Sequence, residues 1–270
     1  NVLNHDYDRA YEIGKHALTM SERYEDQKFR PAVKFILGTF IYPYKRPLRE
    51  AIHLLMEGYD GAKNMGDWLY AIYCLGQGLS KKLMSGYPLN ELEEETRTQL
   101  EFIKKIKAFN RGYIFLVLLQ TIGALQGKNI APWSLSSEGF DEDYYYDLFK
   151  KSNFYLTEHL FLTFKLSLAF IFGQYDLCYK LSKDSVEIGF DEWGLMTTIV
   201  NFLYRSLTIL QTYSQLNPEE KKKQTKLLKH YMKVIQRVSN ACPENYEAMH
   251  SLLQAEYARI HGEHEKAVEN

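Results

Sequence analysis

Gly173-Gln174-Tyr175-Asp176-Leu177-Cys178 and Gly262-Glu263-His264-Glu265-Lys266-Ala267 share one spacing: a glycine, a ring two residues on, and a small side chain five residues after the glycine. Glycine accepts the left-handed backbone that closes a helix, and a thiol or methyl group five residues later lets the next helix approach closely. His5-Asp6-Tyr7-Asp8-Arg9-Ala10 repeats the pattern without the glycine, and Pro47-Leu48-Arg49-Glu50-Ala51 is a looser copy. Ala10, Ala51, Gly173, Cys178, Gly262 and Ala267 are therefore read as the residues that pack one helix of a pair on the other.

Outward from these turns the apolar residues keep a helical period, as in Ala51, Ile52, Leu55, Met56 and Tyr59, or Leu228, Tyr231, Met232, Ile235 and Val238. Pro47, Pro88, Pro218 and Pro243 each stand where a helix begins, since a missing N–H costs little in the first turn. Asn217-Pro218-Glu219-Glu220 adds an N-cap side chain and carboxylates at the positive end of the helix dipole. Successive helices are expected at 6–24, 27–42, 47–64, 67–85, 89–107, 109–126, 141–151, 154–172, 174–189, 192–215, 218–241, 244–261 and from 263 onward. Residues 127–140, rich in Ser, Gly and Pro, form the one long irregular stretch and the expected internal seam of an otherwise single domain. Helix–turn–helix units near 40 residues cannot hide their apolar faces alone and must stack.

These turns resemble the tetratricopeptide repeat, with longer helices than its consensus. The expected fold is accordingly all-α: a tetratricopeptide-like right-handed superhelix of about six to seven antiparallel helix pairs. The order of Asp6-Tyr7-Asp8-Arg9-Ala10, Arg46-Pro47-Leu48-Arg49-Glu50-Ala51, Gly139-Phe140-Asp141-Glu142, Leu216-Asn217-Pro218-Glu219-Glu220 and Cys242-Pro243-Glu244-Asn245-Tyr246 is similar to the helical region of very large signalling proteins. In that family a Ser/Thr-kinase-like domain and an AAA/STAND-type ATPase precede the region, and GAF and histidine-kinase domains follow it. The resemblance implies an internal, non-catalytic scaffold in signal transduction, a piece of a longer chain whose partners are protein or peptide segments of neighbouring domains.

Composition excludes several other classes. Apolar residues at 46% with 21 Tyr and 15 Phe rule out a disordered linker. Near balance of 33 Lys and Arg against 34 Asp and Glu offers no charge excess for nucleic acid. The longest apolar run, Tyr113 to Leu125, spans about 13 residues where a bilayer needs about 20. Three scattered cysteines, Cys74, Cys178 and Cys242, form no ligand pattern and point to a reducing, cytoplasmic setting.

No catalytic, cofactor or metal constellation emerges. Gly76-Gln77-Gly78 lacks the spacing of a phosphate loop and suits a crowded helix crossing. His261 and His264 straddle Gly262, which splays them across a turn. Glu91, Glu93, Glu94 and Glu95, like Asp141, Glu142 and Asp143, lie in first turns, where the helix dipole favours carboxylates. Lys221, Lys222 and Lys223 read as a solvated face. Tyr144-Tyr145-Tyr146, with Trp133 and Phe140 nearby, allows two readings. Three consecutive rings fan over most of a helix circumference, so they either pack a short helix across the seam or present an aromatic patch to a partner. Two functions stay open: the interdomain scaffold, and a free-standing peptide-binding regulator of tetratricopeptide type.

Overall fold

A computed structural model of the chain describes residues 6–24, 27–106, 112–187 and 194–269. It contains α1 (Tyr7–Arg23), α2 (Arg30–Ile36), α3 (Leu48–Asn64), α4 (Trp68–Met84), α5 (Leu89–Lys105), α6 (Tyr113–Leu125) and α7 (Glu142–Lys151). These are followed by α8 (Tyr155–Ile171), α9 (Tyr175–Glu187), α10 (Met196–Thr212), α11 (Pro218–Ala241), α12 (Pro243–Ile260) and α13 (His264–Glu269). The protein is all-helical. Among the described residues the sole β-type pairing is an isolated bridge between Ser137 and Phe140, and no helix is long and apolar enough to cross a membrane.

Helix ends follow the local chemistry of the sequence. Pro47 and Pro88 sit at the N-caps of α3 and α5, while Pro218 and Pro243 open α11 and α12. Asn217 and Glu220 form a reciprocal capping box, Asn217 Oδ1 accepting from the Glu220 N–H at 2.9 Å. C-termini share one closure. In the turns at Gly66, Gly86, Gly127, Gly173 and Gly262 the glycine N–H bonds the carbonyl three residues back, and the next N–H bonds the carbonyl five back. All five glycines have φ between 70° and 74°, a region side chains resist. Asn153, with φ 55°, closes α7 in the same way.

One element departs from expectation. The predicted helix over 27–42 starts at Arg30, with Pro31 in its first turn, then widens to a π-turn at Leu37–Ile41 and ends in a 3₁₀ turn at Tyr42–Tyr44. Pro43 has no N–H to give the carbonyl of Thr39, which forbids a regular α-helix there. The α10 helix likewise finishes in a 3₁₀ turn at Tyr213–Gln215.

The chain divides into two compact units, 1–157 and 158–270. Residues 127–140 lie inside the first unit because their backbone is tied down. Lys128 N–H bonds Gly123 O at 2.8 Å, Ile130 N–H bonds Ser136 O at 3.1 Å, and the Asn129 amide donates to the Gln120 and Ser134 carbonyls. In the first unit α3 and α4 pack along their length, α2 lies on α3, α1 lies on α2, and α5 pairs with α6. Ala51, Leu55, Cys74, Leu79, Phe115, Val117 and Ile122 are fully enclosed there. Burying each large apolar chain contributes roughly 1.5–3 kcal/mol. In the second unit α10 packs against α9, α11 and α12, with Ile235, Tyr246 and Leu253 fully enclosed.

The anticipated packing positions separate into two kinds. Ala10, Ala51 and Cys178 are buried, and Ala267 is half-buried. Gly173 and Gly262 are exposed and serve the backbone alone: a Cβ at either would touch nothing within 4 Å. A further copy, Gly66-Asp67-Trp68-Leu69-Tyr70-Ala71, joins α3 to α4 with Ala71 buried, and the same spacing announces it. Asp67 caps α4 through the Tyr70 N–H as Asp6 caps α1 through the Arg9 N–H.

Candidate functional site

The α7 helix begins at Asp141, whose carboxylate accepts from the Asp143 and Tyr144 N–H groups at 3.0 Å. Because each residue advances the helix by about 100°, the three tyrosines part company. Tyr145 turns inward and stacks on Phe140, with ring centroids 4.2 Å apart and planes 2° from parallel, beside Tyr113 and the buried Phe149. Tyr146 lies beneath the Lys150 ammonium, 4.2 Å from its ring centroid. Tyr144 is 64% exposed and meets Tyr145 edge-on. Trp133 is half-buried. Of the residues grouped from sequence, Tyr145 joins a packed aromatic cluster and Tyr144 presents an outward phenol.

Other sequence features have structural partners. In α4 a Cβ on Gly76 would come within 3.2 Å of Ile114 Cγ2, and one on Gly78 within 3.0 Å of Met56 Sδ, so both glycines mark helix crossings. Glu93 bonds Lys128 and Arg97, which hold its carboxyl below the usual range, Lys128 most strongly. Glu95 takes two bonds from Lys82 at 2.7 Å, and Glu142 accepts from the Leu135 N–H at 2.6 Å. His261 Nδ1 lies 2.8 Å from the Tyr257 carbonyl and its ring stacks on Tyr257. The His264 side chain lies outside the described residues. No group of three His, Cys, Asp or Glu is placed to hold a metal among the described residues.

Two clefts open on the first unit. One, of ≈ 300 Å³, is lined by Arg30, Lys34, Glu57 and Asn64 among others. The other, of ≈ 620 Å³, is lined by Tyr42, Arg49, Glu50, His53, Met56 and Tyr87, with flanking residues. Their carboxylates are engaged: Glu57 meets Lys34 at 2.6 Å and His53 at 3.0 Å, and Glu50 is gripped by both arms of Arg46.

Sequence reasoning missed two buried polar centres. Lys81 is 1% exposed and its ammonium donates to Gln77 Oε1 at 3.1 Å, with no carboxylate beside it among the described residues. Burial alone pushes its pKa down to about 7. Lys81 and Lys82 together resemble a basic last turn, yet Lys81 falls four residues after Gln77 and seven after Cys74, on the core face, and that phase is the signal that could have found it. In the second unit Asn201 bonds Thr163 Oγ1 at 3.1 Å and Ser185 Oγ at 3.4 Å. One turn further along α10, Arg205 is 2% exposed, donates to the Tyr231 hydroxyl and lies 4.4 Å from the Tyr231 ring centroid. Burial, and then the Arg205 charge, push the His159 imidazole down to about 4, so it is neutral at pH 7. This seam ties α8, α9, α10 and α11 into one register, since any slip would strand a buried cation or amide. Comparison with family models, curated proteins and solved structures finds no match to this chain.

Proposed function

We propose that this chain is a non-catalytic helical-repeat scaffold that works by protein–protein contact. In this reading its helix pairs stack in tetratricopeptide-like fashion into a right-handed superhelix, and they relay contacts between neighbouring domains of a larger signalling polypeptide of the kinase–ATPase kind. The observation that carries the reading is the recurrent junction at Gly66, Gly173 and Gly262. Each joins one helix to the next through the same two hydrogen bonds, and a small residue follows five positions on. Units that recur in this way build long surfaces and bind through them. The buried Arg205 and Asn201 seam also favours a rigid support over a site of turnover, because its groups are sealed from solvent.

Two measurements on the purified 270-residue protein test the proposal. A stacked superhelix has a radius of gyration clearly above the ~18 Å of a compact globule of this length, and X-ray scattering reads it directly; a value at the compact limit contradicts the stack. Incubation with Mg²⁺ and radiolabelled ATP is expected to leave the nucleotide intact, and release or transfer of the γ-phosphate would refute the non-catalytic reading.

A further inference from the structure

We infer that the outer face of the α1–α2 hairpin is a docking surface for an amphipathic helix whose apolar ridge is bordered by carboxylates. The inference rests on the scaffold reading and names the class of partner it takes. On α1, Ile13 is 54% exposed and Met20 58%, and Tyr24, just past the helix, is 71% exposed. They recur at intervals of seven and four and so share one stripe. On α2, Ile36 is 49% exposed and Phe29, at its N-cap, 57%.

Both stripes lie on the same side of the hairpin. The α1 helix meets α2 through Gly14, which is pressed against Leu37, and through Ser21, whose carbonyl accepts from Arg30 at 2.9 Å. Each stripe is about a quarter turn round its own helix from that contact, and for two right-handed helices running in opposite directions the rotations bring both to one face. The opposite face of the hairpin is already covered: α3 packs on α2, with Gly38 against Leu55 and Lys34 against Gly58 and Glu57. The fold thus covers one side of this hairpin with a helix, while Ile13, Met20, Tyr24 and Ile36 on the other side are exposed among the described residues.

Charge and area select the occupant. Arg9, His16 and Arg23 run at seven-residue intervals along the edge of the α1 stripe, and Lys28 stands at its far end; all are exposed. Arg9, His16 and Arg23 have no acidic partner among the described residues, and the Lys28 ammonium lies 5.5 Å from the Phe29 ring centroid. A second copy of this chain would bring these basic residues against their own kind. Ile13, Met20, Tyr24 and Ile36 alone offer roughly 400–500 Å², below the ~800 Å² that each side of a standard interface covers and suited to one docked helix. Carboxylates flanking the ridge of that helix would meet the basic row.

The test titrates the full chain by calorimetry with two synthetic 18-residue amphipathic helices that carry the same Leu ridge, flanked by Glu in one and by Lys in the other. Micromolar binding of the Glu-flanked peptide, weakened at least tenfold by Met20→Asp, supports the inference. So does a reversal of preference toward the Lys-flanked peptide in the Arg9→Glu, Arg23→Glu double variant, which changes only exposed residues and keeps the fold. Equal binding of both peptides, indifference to Met20→Asp, a dimer in sedimentation that Met20→Asp dissolves, or partition of the chain into phosphatidylserine-containing vesicles through this face would each overturn it. These results leave the scaffold reading standing, since that reading falls instead on phosphate release or on a compact scattering radius.

Discussion

Replacing Lys81 together with its one hydrogen-bond partner, as Gln77→Leu with Lys81→Met, is expected to stabilise the protein. The ammonium is enclosed in α4 with, among the described residues, only the Gln77 oxygen as its hydrogen-bond acceptor, and its pKa falls from 10.5 to about 7. At about 1.4 kcal/mol per unit, holding the charged form buried costs at most ~5 kcal/mol, and relaxation of the surroundings reduces that to ~2–3 kcal/mol. Changing Lys81 alone would strand the Gln77 amide at a cost of ~1–3 kcal/mol, so the pair is changed together. The double variant should gain ~1–3 kcal/mol at pH 7. Below about pH 7 both folded and unfolded wild-type chains carry the proton and the whole penalty applies. From there toward the ordinary lysine pKa the unfolded chain keeps a proton that the folded chain has shed, so wild-type stability rises with pH. Urea melts at pH 6, 7, 8 and 9 read both effects. The wild-type midpoint should climb across pH 7 to 9 while that of the variant follows a flatter course. Parallel curves, or a less stable variant at pH 7, would refute the reasoning.

Asn217→Ala removes the capping box of α11 and should cost ~1 kcal/mol, read as a lower urea midpoint, whereas Asn217→Asp should cost only a few tenths. Ala51 is fully enclosed beneath Gly38, so Ala51→Trp should lose ~1–3 kcal/mol or more, while Ala267→Trp near the end of α13 should stay within ~0.5 kcal/mol; equal melting temperatures for the two variants would count against the packing described. Burial pushes the Cys74 thiol up to about 12 and the Cys178 thiol up to about 11. An aromatic disulfide reagent at pH 8 should therefore label none of the three buried cysteines in the folded protein within the time that it labels all three in urea.

Helix ends were legible because their chemistry is local. Proline at a first turn, Asn217 with Glu220, and glycine followed five residues later by Ala71, Cys178 or Ala267 each act within a few residues. Pro43 was visible too, but its effect, a π-turn instead of a continued helix, also depends on how closely Gly38 approaches Leu55 of α3. Tertiary neighbours decided the rest. Lys81 and Lys82 are adjacent and chemically identical, yet one is fully enclosed without a carboxylate among the described residues and the other, half-buried, bonds Glu95. Arg205 sits in an apolar helix, where the Tyr231 hydroxyl and ring, supplied by α11, help make its burial tolerable. The tyrosine triplet drew notice by composition, whereas the bare stripe of Ile13, Met20 and Tyr24 looks in sequence like any core-facing stripe; only the position of α2 and α3 shows it uncovered. The division near Thr157 leaves no composition shift, because it falls in the first turn of a continuous helix.

The claim that this chain acts through contact is tested most directly by a photo-crosslinking scan in the organism that makes it. A benzophenone amino acid is placed in turn at Ile13, Met20, Ile36 and Tyr144, with exposed Asp60 and Lys151 as controls. The account predicts discrete protein adducts from the α1–α2 positions, mapped to an acidic helical segment, and none from the controls. Adducts of equal yield from every position, or none at all while the purified chain turns over a small molecule, would contradict it.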